Sequence, residues 1–289
     1  MQWRPGGRSR DLEDRRGGGF GGFGGFGGGM PIRVGGRLGI GGFLLLLLLS
    51  VVFKQDFLSV LGGGQAGAPA TSSRPVNDPA EEPMVQFVSF VLDDTQATWS
   101  RLLQERGVQY PRAKLVLFRD AVSSACGSAR SITGPFYCPA DQKAYIDLGF
   151  YDELKQRFGA PGDFAQAYVL AHEIGHHVQN VLGIEEKVRR AMRSNPGERN
   201  ALSVQMELQA DCFAGVWGHS TAERKILESG DVEEALTAAS AIGDDRLQRM
   251  SGRQVSADTF THGSSAQRVE WFQRGLQSGD PEMCNTFGQ

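Results

Sequence analysis

Hydrophobic residues recur at helical spacing through much of the C-terminal two thirds of the chain. In the segment from Met84 to Glu105, apolar residues fall near every third or fourth position and Gly107 follows, which predicts a helix. Two short runs of β-type residues, Lys114 to Phe118 and Ala144 to Leu148, predict strands. Few strands among many helices indicate an α+β fold.

Cap residues mark the starts of further helices after these strands. Asp163, with a glutamine three residues later, has the pattern of a capping box, and Gly183 supplies a C-terminal stop. Asn195, followed by a proline, predicts a helix that runs to about Trp217. Two more helical segments are predicted, Glu223 to Met250 and Ser264 to Gln277. Residues 83–289 are therefore predicted to form a mostly helical domain with a small β-sheet.

The N-terminal 82 residues have a different pattern. Residues 1–37 are rich in Gly and Arg and repeat Gly-Gly-Phe, a composition that cannot bury enough apolar area to order the backbone, so a disordered tail is predicted. Leu38 to Phe53 are sixteen uncharged residues with six consecutive Leu, which predicts a transmembrane helix over residues 38–58. Residues 59–82, rich in Gly, Ala, Ser and Pro, predict a flexible linker.

The apolar stretch also allows a second interpretation, a cleaved signal peptide. The nearest small-residue cleavage site, Ala66 to Ala68, lies beyond Lys54 and Asp56 and precedes a proline, so an uncleaved signal anchor is favoured. Arginines precede the stretch, which predicts a single-pass inner-membrane protein with a cytoplasmic N-terminus and a periplasmic or otherwise extracytoplasmic domain.

Charge limits the partners that the chain can have. Its 289 residues carry a formal net charge of -3 at pH 7, so the cationic surface typical of nucleic-acid binding is not expected. We therefore predict no nucleic-acid partner. The composition leaves the oligomeric state open.

All four cysteines lie within the predicted domain, residues 83–289, and none forms a C-x-x-C pair. An even number of cysteines outside the cytoplasm favours disulfides. Three pairings are possible. The short span favours Cys126 with Cys138, which leaves Cys212 with Cys284, and four buried thiols are the alternative.

The helix predicted from Asp163 contains the pattern H-E-x-x-H. Its histidines, His172 and His176, are four residues apart and share one helix face, so both imidazoles can bind one zinc at about 2.0–2.1 Å. Glu173 then lies beside the metal as a general base for a zinc-activated water. The pattern predicts one zinc per chain.

A catalytic zinc needs a third protein ligand. Metzincins take it from a histidine ten residues after the first, but Leu182 stands at that position, which excludes that class. Glu207 and Asp211, in E-L-Q-A-D, share one face of the helix predicted from Asn195. Glu207 is the predicted third ligand, and Asp211 is predicted to accept the ring N–H of a ligand histidine.

Several motifs together resemble a known family. These are H-E-I-G-H-H-V-Q, then E-L-Q-A-D-C-F-A-G-V-W, the segments around Cys126 and Cys138, and Y-I-D-L-G-F at Tyr145. They are similar to the bacterial family described as "putative neutral zinc metallopeptidase", and more distantly to gluzincins such as thermolysin and the HtpX-type peptidases. The resemblance spans almost the whole chain, including the basic tail and the anchor. It implies a zincin-like metallopeptidase domain over residues 83–289, and zinc on the three predicted ligands with Asp211 orienting His172.

The same resemblance implies further site residues. His262, in T-H-G-S-S-A-Q-R, resembles a segment downstream of the site in HtpX-type enzymes, and is predicted to stabilise the oxyanion. Tyr145 and Asp147 are predicted to lie on the edge strand that pairs with the extended substrate backbone in gluzincins.

The predicted function is that of a membrane-anchored zinc endopeptidase acting on peptides or unfolded proteins outside the cytoplasm. The alternative is a catalytically silent zinc-binding scaffold or adaptor domain of the cell envelope. Glu173 favours the enzyme, because a scaffold needs the metal ligands but has no use for a general base.

Overall fold

The computed structural model describes residues 1–17, 78–130 and 134–288. The strands are β1 (Leu12–Asp14), β2 (Lys114–Phe118), β3 (Ala121–Ser124), β4 (Gly127–Arg130), β5 (Phe136–Cys138) and β6 (Lys143–Asp147). The helices are α1 (Glu82–Gln104), α2 (Gly149–Gln156), α3 (Asp163–Val181), α4 (Ile184–Ser194), α5 (Arg199–Glu223), α6 (Asp231–Ala241), α7 (Asp244–Met250) and α8 (Ser265–Ser278). This part of the chain is α+β, mostly helical with a small sheet.

Four strands form one sheet in the order β1-β2-β6-β5, and β3 and β4 form a separate hairpin. Strand β2 runs parallel to both β1 and β6, while β5 is antiparallel to β6. The sheet is covered on both sides: Leu115 and Ile146 face the main hydrophobic core, whereas Val116 and Tyr145 face a smaller cluster around Cys138. Burial on both faces explains why β2 is a continuous apolar run rather than an alternating one.

Helix α3 lies at the centre of the helical core and packs against α1, α5 and α6, while α5 packs against α8. Two glycines permit close helix contacts. A Cβ on Gly175 would lie 2.9 Å from the carbonyl oxygen of Ala210, and one on Gly275 would lie 1.9 Å from that of Cys212. These close approaches join α3, α5 and α8 where their polar side chains meet.

The fold prediction was wrong about the start of the chain, because residues 1–17 are ordered and form part of the same compact unit as the domain. Strand β1 pairs with β2, the Trp3 ring packs edge-on against Phe87 at 5.3 Å, and Arg16 is buried with ion pairs to Asp14 and Glu81. The segment was missed because it is held by a few isolated apolar residues, by charge pairs and by backbone hydrogen bonds, which leave no periodic apolar pattern.

The predicted fold is also corrected on its transmembrane helix, which the described residues do not supply. Among the residues that the structure describes, no helix is both long enough and apolar enough to span a bilayer. The predicted segment 38–58 itself lies outside the described residues, as do residues 18–37 of the predicted tail and 59–77 of the predicted linker.

Several helix ends differ from their predictions. The capping box at Asp163 does not form, because Gly162 is the N-cap and the Asp163 carboxylate accepts a hydrogen bond from the amine of Met1 at 2.8 Å instead. Gly183, in the left-handed region at φ 70°, separates α3 from α4, a helix that was not predicted. The segment predicted as one helix over 223–250 is two helices, α6 and α7.

Both predicted disulfides are present. Cys126 is bonded to Cys138 beside the β3–β4 hairpin, and Cys212 of α5 is bonded to Cys284 near the C-terminus. The second bond ties the C-terminal 3-10 turn, Pro281–Cys284, to the helix that carries Glu207.

Candidate metal centre

Helices α3 and α5 bring the three predicted ligands together. The rings of His172 and His176 lie 4.8 Å apart and nearly perpendicular, at 87°. From α5, Glu207 places one carboxylate oxygen 3.2 Å from Nε2 of His172 and the other 3.6 Å from Nε2 of His176. Two atoms bound to one zinc at tetrahedral angles are about 3.3 Å apart. The donor set and its spacing therefore suit a zinc ion.

Asp211 holds His172 from the side away from this cluster. Its Oδ1 accepts a hydrogen bond from Nδ1 of His172 at 2.9 Å, which turns Nε2 of the ring towards the Glu207 carboxylate as the metal-binding atom. The same oxygen accepts from the Tyr168 hydroxyl at 2.5 Å. Arg268 donates to both carboxylate oxygens, from Nε at 2.8 Å and from Nη2 at 2.9 Å. Asp211 is completely buried and Arg268 is 2% exposed, so each charge is compensated by the other.

Arg268 and Tyr168 were not recognised in the sequence as parts of the site. Tyr168 fits the apolar face of α3, and its hydroxyl partner is 43 residues away on another helix. Arg268 reaches Asp211 across 57 residues because α8 packs against α5. No local pattern marks either contact.

The electrostatics of the site favour proton transfer by Glu173. Its side chain is buried, and this burial raises the pKa of Glu173 to about 7 despite the opposing influence of His172. A carboxyl group that titrates near neutrality can both take up and return a proton at neutral pH.

The pKa values of the ligands Glu207 and His172 are shifted in opposite directions. Burial by itself would raise the pKa of Glu207, but His176 and His172 hold it well below its ordinary value, so this carboxylate is ionised. Burial would lower the pKa of His172, yet Asp211 outweighs it and raises that pKa to about 9. A metal ion therefore has to displace a proton from the His172 ring.

His262 lies at the rim of the site on the segment between α7 and α8. Asp244 fixes this segment: its Oδ2 accepts the backbone N–H groups of Thr261, His262 and Gly263 at 2.7, 2.6 and 3.1 Å. Its Oδ1 lies 3.3 Å from Nδ1 of His262. The bond to Asp244 raises the pKa of His262, Glu207 raises it further, and His262 in turn lowers the pKa of Glu173. The next residue, Gly263, lies against α5: a Cβ there would be 3.2 Å from the Leu208 side chain, next to Glu207 on that helix. Asp244 was not singled out in the sequence.

Tyr145 and Asp147 do not lie on an edge strand. Strand β6 has β2 on one side and β5 on the other, so its backbone has no free edge for a substrate. The Tyr145 hydroxyl donates to Asp141 at 2.7 Å, and Asp147 accepts the backbone N–H groups of Asp120 and Gly149, both at 2.9 Å. These contacts assign both residues to support of the sheet. The terminal strand beside α3 is β5.

Comparison with known proteins agrees with the site. A family model described as "Putative neutral zinc metallopeptidase" matches residues 1–287. The uncharacterized protein YpfJ of Escherichia coli strain K12 is 49% identical over 291 residues, covering 100% of this chain and 99% of the relative. The uncharacterized protein Rv2575 of Mycobacterium tuberculosis strain H37Rv is 42% identical over 206 residues, covering 68% of each chain. No solved structure gives a significant match.

Proposed function

Because this chain belongs to the "Putative neutral zinc metallopeptidase" family, we propose that it is a zinc-dependent endopeptidase with Glu173 as its general base. The observation that carries the proposal is the position of a buried carboxyl group with a pKa of about 7 directly beside a His-His-Glu cluster. A site that only stores zinc would need the cluster but not this carboxyl group.

The residues of the site have separate tasks. His172, His176 and Glu207 would hold the metal. When bound, zinc polarises the scissile carbonyl and lowers the pKa of the attacking water. Glu173 takes the proton from that water and later delivers it to the leaving amine. Asp211 and Arg268 keep the His172 ring in the orientation and tautomer that metal binding requires.

His262 is proposed to stabilise the oxyanion. Since Asp244 occupies its Nδ1 side, the remaining donor is Nε2–H of the protonated ring. The raised pKa of His262 favours that protonated form. A cation at the rim of the site would interact with negative charge as it develops on the substrate carbonyl oxygen.

The proposed substrate is a peptide or an unfolded protein. An extended backbone could add to the outer edge of β5, which is the terminal strand of its sheet and packs beside α3. The two disulfides support a location in an oxidising compartment outside the cytoplasm.

The proposal is tested with the full chain, because residues 1–17 are part of the folded domain. Zinc-loaded protein is incubated with a denatured protein, and the fragments are compared by mass spectrometry with those made by Glu173→Gln. Fragments from the native protein alone would support the peptidase. If neither protein cleaves and both hold zinc, the zinc-binding scaffold becomes the better explanation.

A further inference from the structure

Two buried glutamines connect His176 to the C-terminal turn. Nδ1 of His176 lies 2.8 Å from Oε1 of Gln179, and Nε2 of Gln179 donates to Oε1 of Gln209 at 3.1 Å. Nε2 of Gln209 donates to the carbonyl oxygen of Cys284 at 2.9 Å. Gln179 is completely buried and Gln209 is 4% exposed, so both amides depend on these protein partners. We call this chain of hydrogen bonds, from His176 through Gln179 and Gln209 to Cys284, the glutamine relay.

The relay has a direction, which is set by groups that can only accept hydrogen bonds. The carbonyl oxygen of Cys284 faces the amide nitrogen of Gln209, so the amide oxygen of Gln209 faces Gln179. Nε2 of Gln179 also donates to the carbonyl oxygen of Met206 at 2.7 Å, which turns the amide oxygen of Gln179 towards His176. An amide oxygen cannot donate. Nδ1 of His176 must therefore carry the proton, and Nε2 keeps its lone pair on the side of Glu207.

A neutral acceptor suits this position better than a carboxylate would. Glu207, Asp211 and Glu173 already place three carboxyl groups in or next to the cluster. Arg268 is the buried cation that pairs with Asp211. Another carboxylate behind His176 would add a buried negative charge without a described cation to pair it. Gln179 fixes the ring without that electrostatic cost.

The far end of the relay is fixed covalently. The disulfide between Cys212 and Cys284 holds the C-terminal turn on α5. The Thr286 hydroxyl also donates to the carbonyl oxygen of Gln205 at 2.8 Å, which ties the following residues to the same helix. Because Cys212 directly follows Asp211, the bond is attached next to the residue that orients His172.

We propose that Gln179 and Gln209 are positioning residues for His176, and that the Cys212–Cys284 disulfide anchors them. Zinc affinity would then depend on a C-terminal turn that contributes no ligand. This inference rests on the zinc site of the proposed function, but it requires only metal binding and not peptide hydrolysis.

The test measures zinc affinity of the full chain by competition with a chromophoric chelator. Gln179→Met removes the acceptor while keeping the side-chain length, and we expect zinc affinity to fall about 10–100-fold. Gln209→Met, one step further out, should lower it less. Gln96→Met is the matched control: Gln96 is also completely buried, but it bonds to the backbone N–H of Ala113, so zinc affinity should stay unchanged.

The visible absorption of the Co(II)-substituted protein is a second readout, because it reports ligand geometry rather than stability. Gln179→Met should change this spectrum, whereas Gln96→Met should not. Thermal unfolding of the metal-free variants identifies any that fail to fold. If Gln179→Met does not fold, Gln209→Met still tests the inference. Wild-type affinity and spectrum in both folded relay variants would overturn the inference.

The anchor is tested with two double variants that each remove one disulfide. Cys212→Ser with Cys284→Ser should weaken zinc binding, whereas Cys126→Ser with Cys138→Ser should not, because that bond lies outside the relay. Equal loss in both would refute the anchoring role. A wild-type protein that binds zinc but cleaves nothing would count against the proposed peptidase and leave the relay standing.

Discussion

Arg268 and Asp211 form a buried, bidentate ion pair behind the His172 ring, with N–O distances of 2.8 and 2.9 Å. Removing one member of such a pair leaves an uncompensated charge in the interior, which costs about 3–5 kcal/mol. Arg268→Met should therefore lower the free energy of unfolding of the metal-free protein by about that amount, as measured by urea denaturation.

Arg101→Met provides the comparison, because Arg101 pairs with Glu105 on the exposed surface of α1, where both side chains are 54% exposed. Its loss should change the unfolding free energy by less than about 0.5 kcal/mol. If Arg268→Met unfolds at the same urea concentration as Arg101→Met, the buried Arg268–Asp211 pair does not stabilise the metal-free protein.

Zinc binding should strengthen as the pH rises. In the metal-free protein the pKa of His172 is raised to about 9, whereas burial lowers the pKa of His176 and the pKa of Glu207 is far below neutrality. One ligand proton, on His172, must then leave at neutral pH. The apparent zinc association constant should rise about tenfold per pH unit between pH 6 and 8, as measured by chelator competition. A constant affinity over this range would show that His172 is already neutral.

The alkaline limb of the activity profile should depend on Asp244. This carboxylate raises the pKa of His262, and the proposed oxyanion donor is the protonated ring. Asp244→Asn removes the negative charge and should lower that pKa, so kcat/KM should begin to fall at a lower pH. The comparison is a pH profile of both proteins. An alkaline limb that does not move would exclude protonated His262 as the donor.

The first residues of the chain should contribute to the stability of the domain. Trp3 packs against the aromatic rings of Phe87 and Phe90 on α1. Trp3→Ala should lower the free energy of unfolding by about 1–3 kcal/mol because that apolar contact is lost. Arg10→Ala is the control, since Arg10 is 80% exposed and should have little effect. Equal unfolding curves for the two variants would mean that the N-terminal segment is not held on the domain.

The features predicted correctly from sequence are those that depend on local spacing. His172 and His176, like Glu207 and Asp211, are four residues apart, and a helix places such pairs on one face whatever surrounds it. The strand at Lys114–Phe118 was predicted at its observed bounds because its apolar run is continuous.

The features that were missed depend on long-range packing. Arg268 and Asp244 become part of the site only because α8 packs against α5 and α7 packs against α8. Strand β6 has no free edge because β5 and β2 flank it. Strand β1 was hidden by the averaged composition of residues 1–37. Glu13 of this strand pairs with Lys143, and Arg16 just after it pairs with Glu81, contacts over 130 and 65 positions that no local pattern can show.

The most direct measurement compares the hydrolysis rate of the zinc-loaded full chain with that of Glu173→Gln on one denatured protein substrate, with zinc content determined on the same samples. Glu173 is not a predicted ligand, so both proteins should hold one zinc, while the rate of fragment formation should fall at least about 100-fold in the variant. Equal rates from the two zinc-loaded proteins, or no hydrolysis by the native one, would contradict the assignment of Glu173 as the general base of a zinc peptidase.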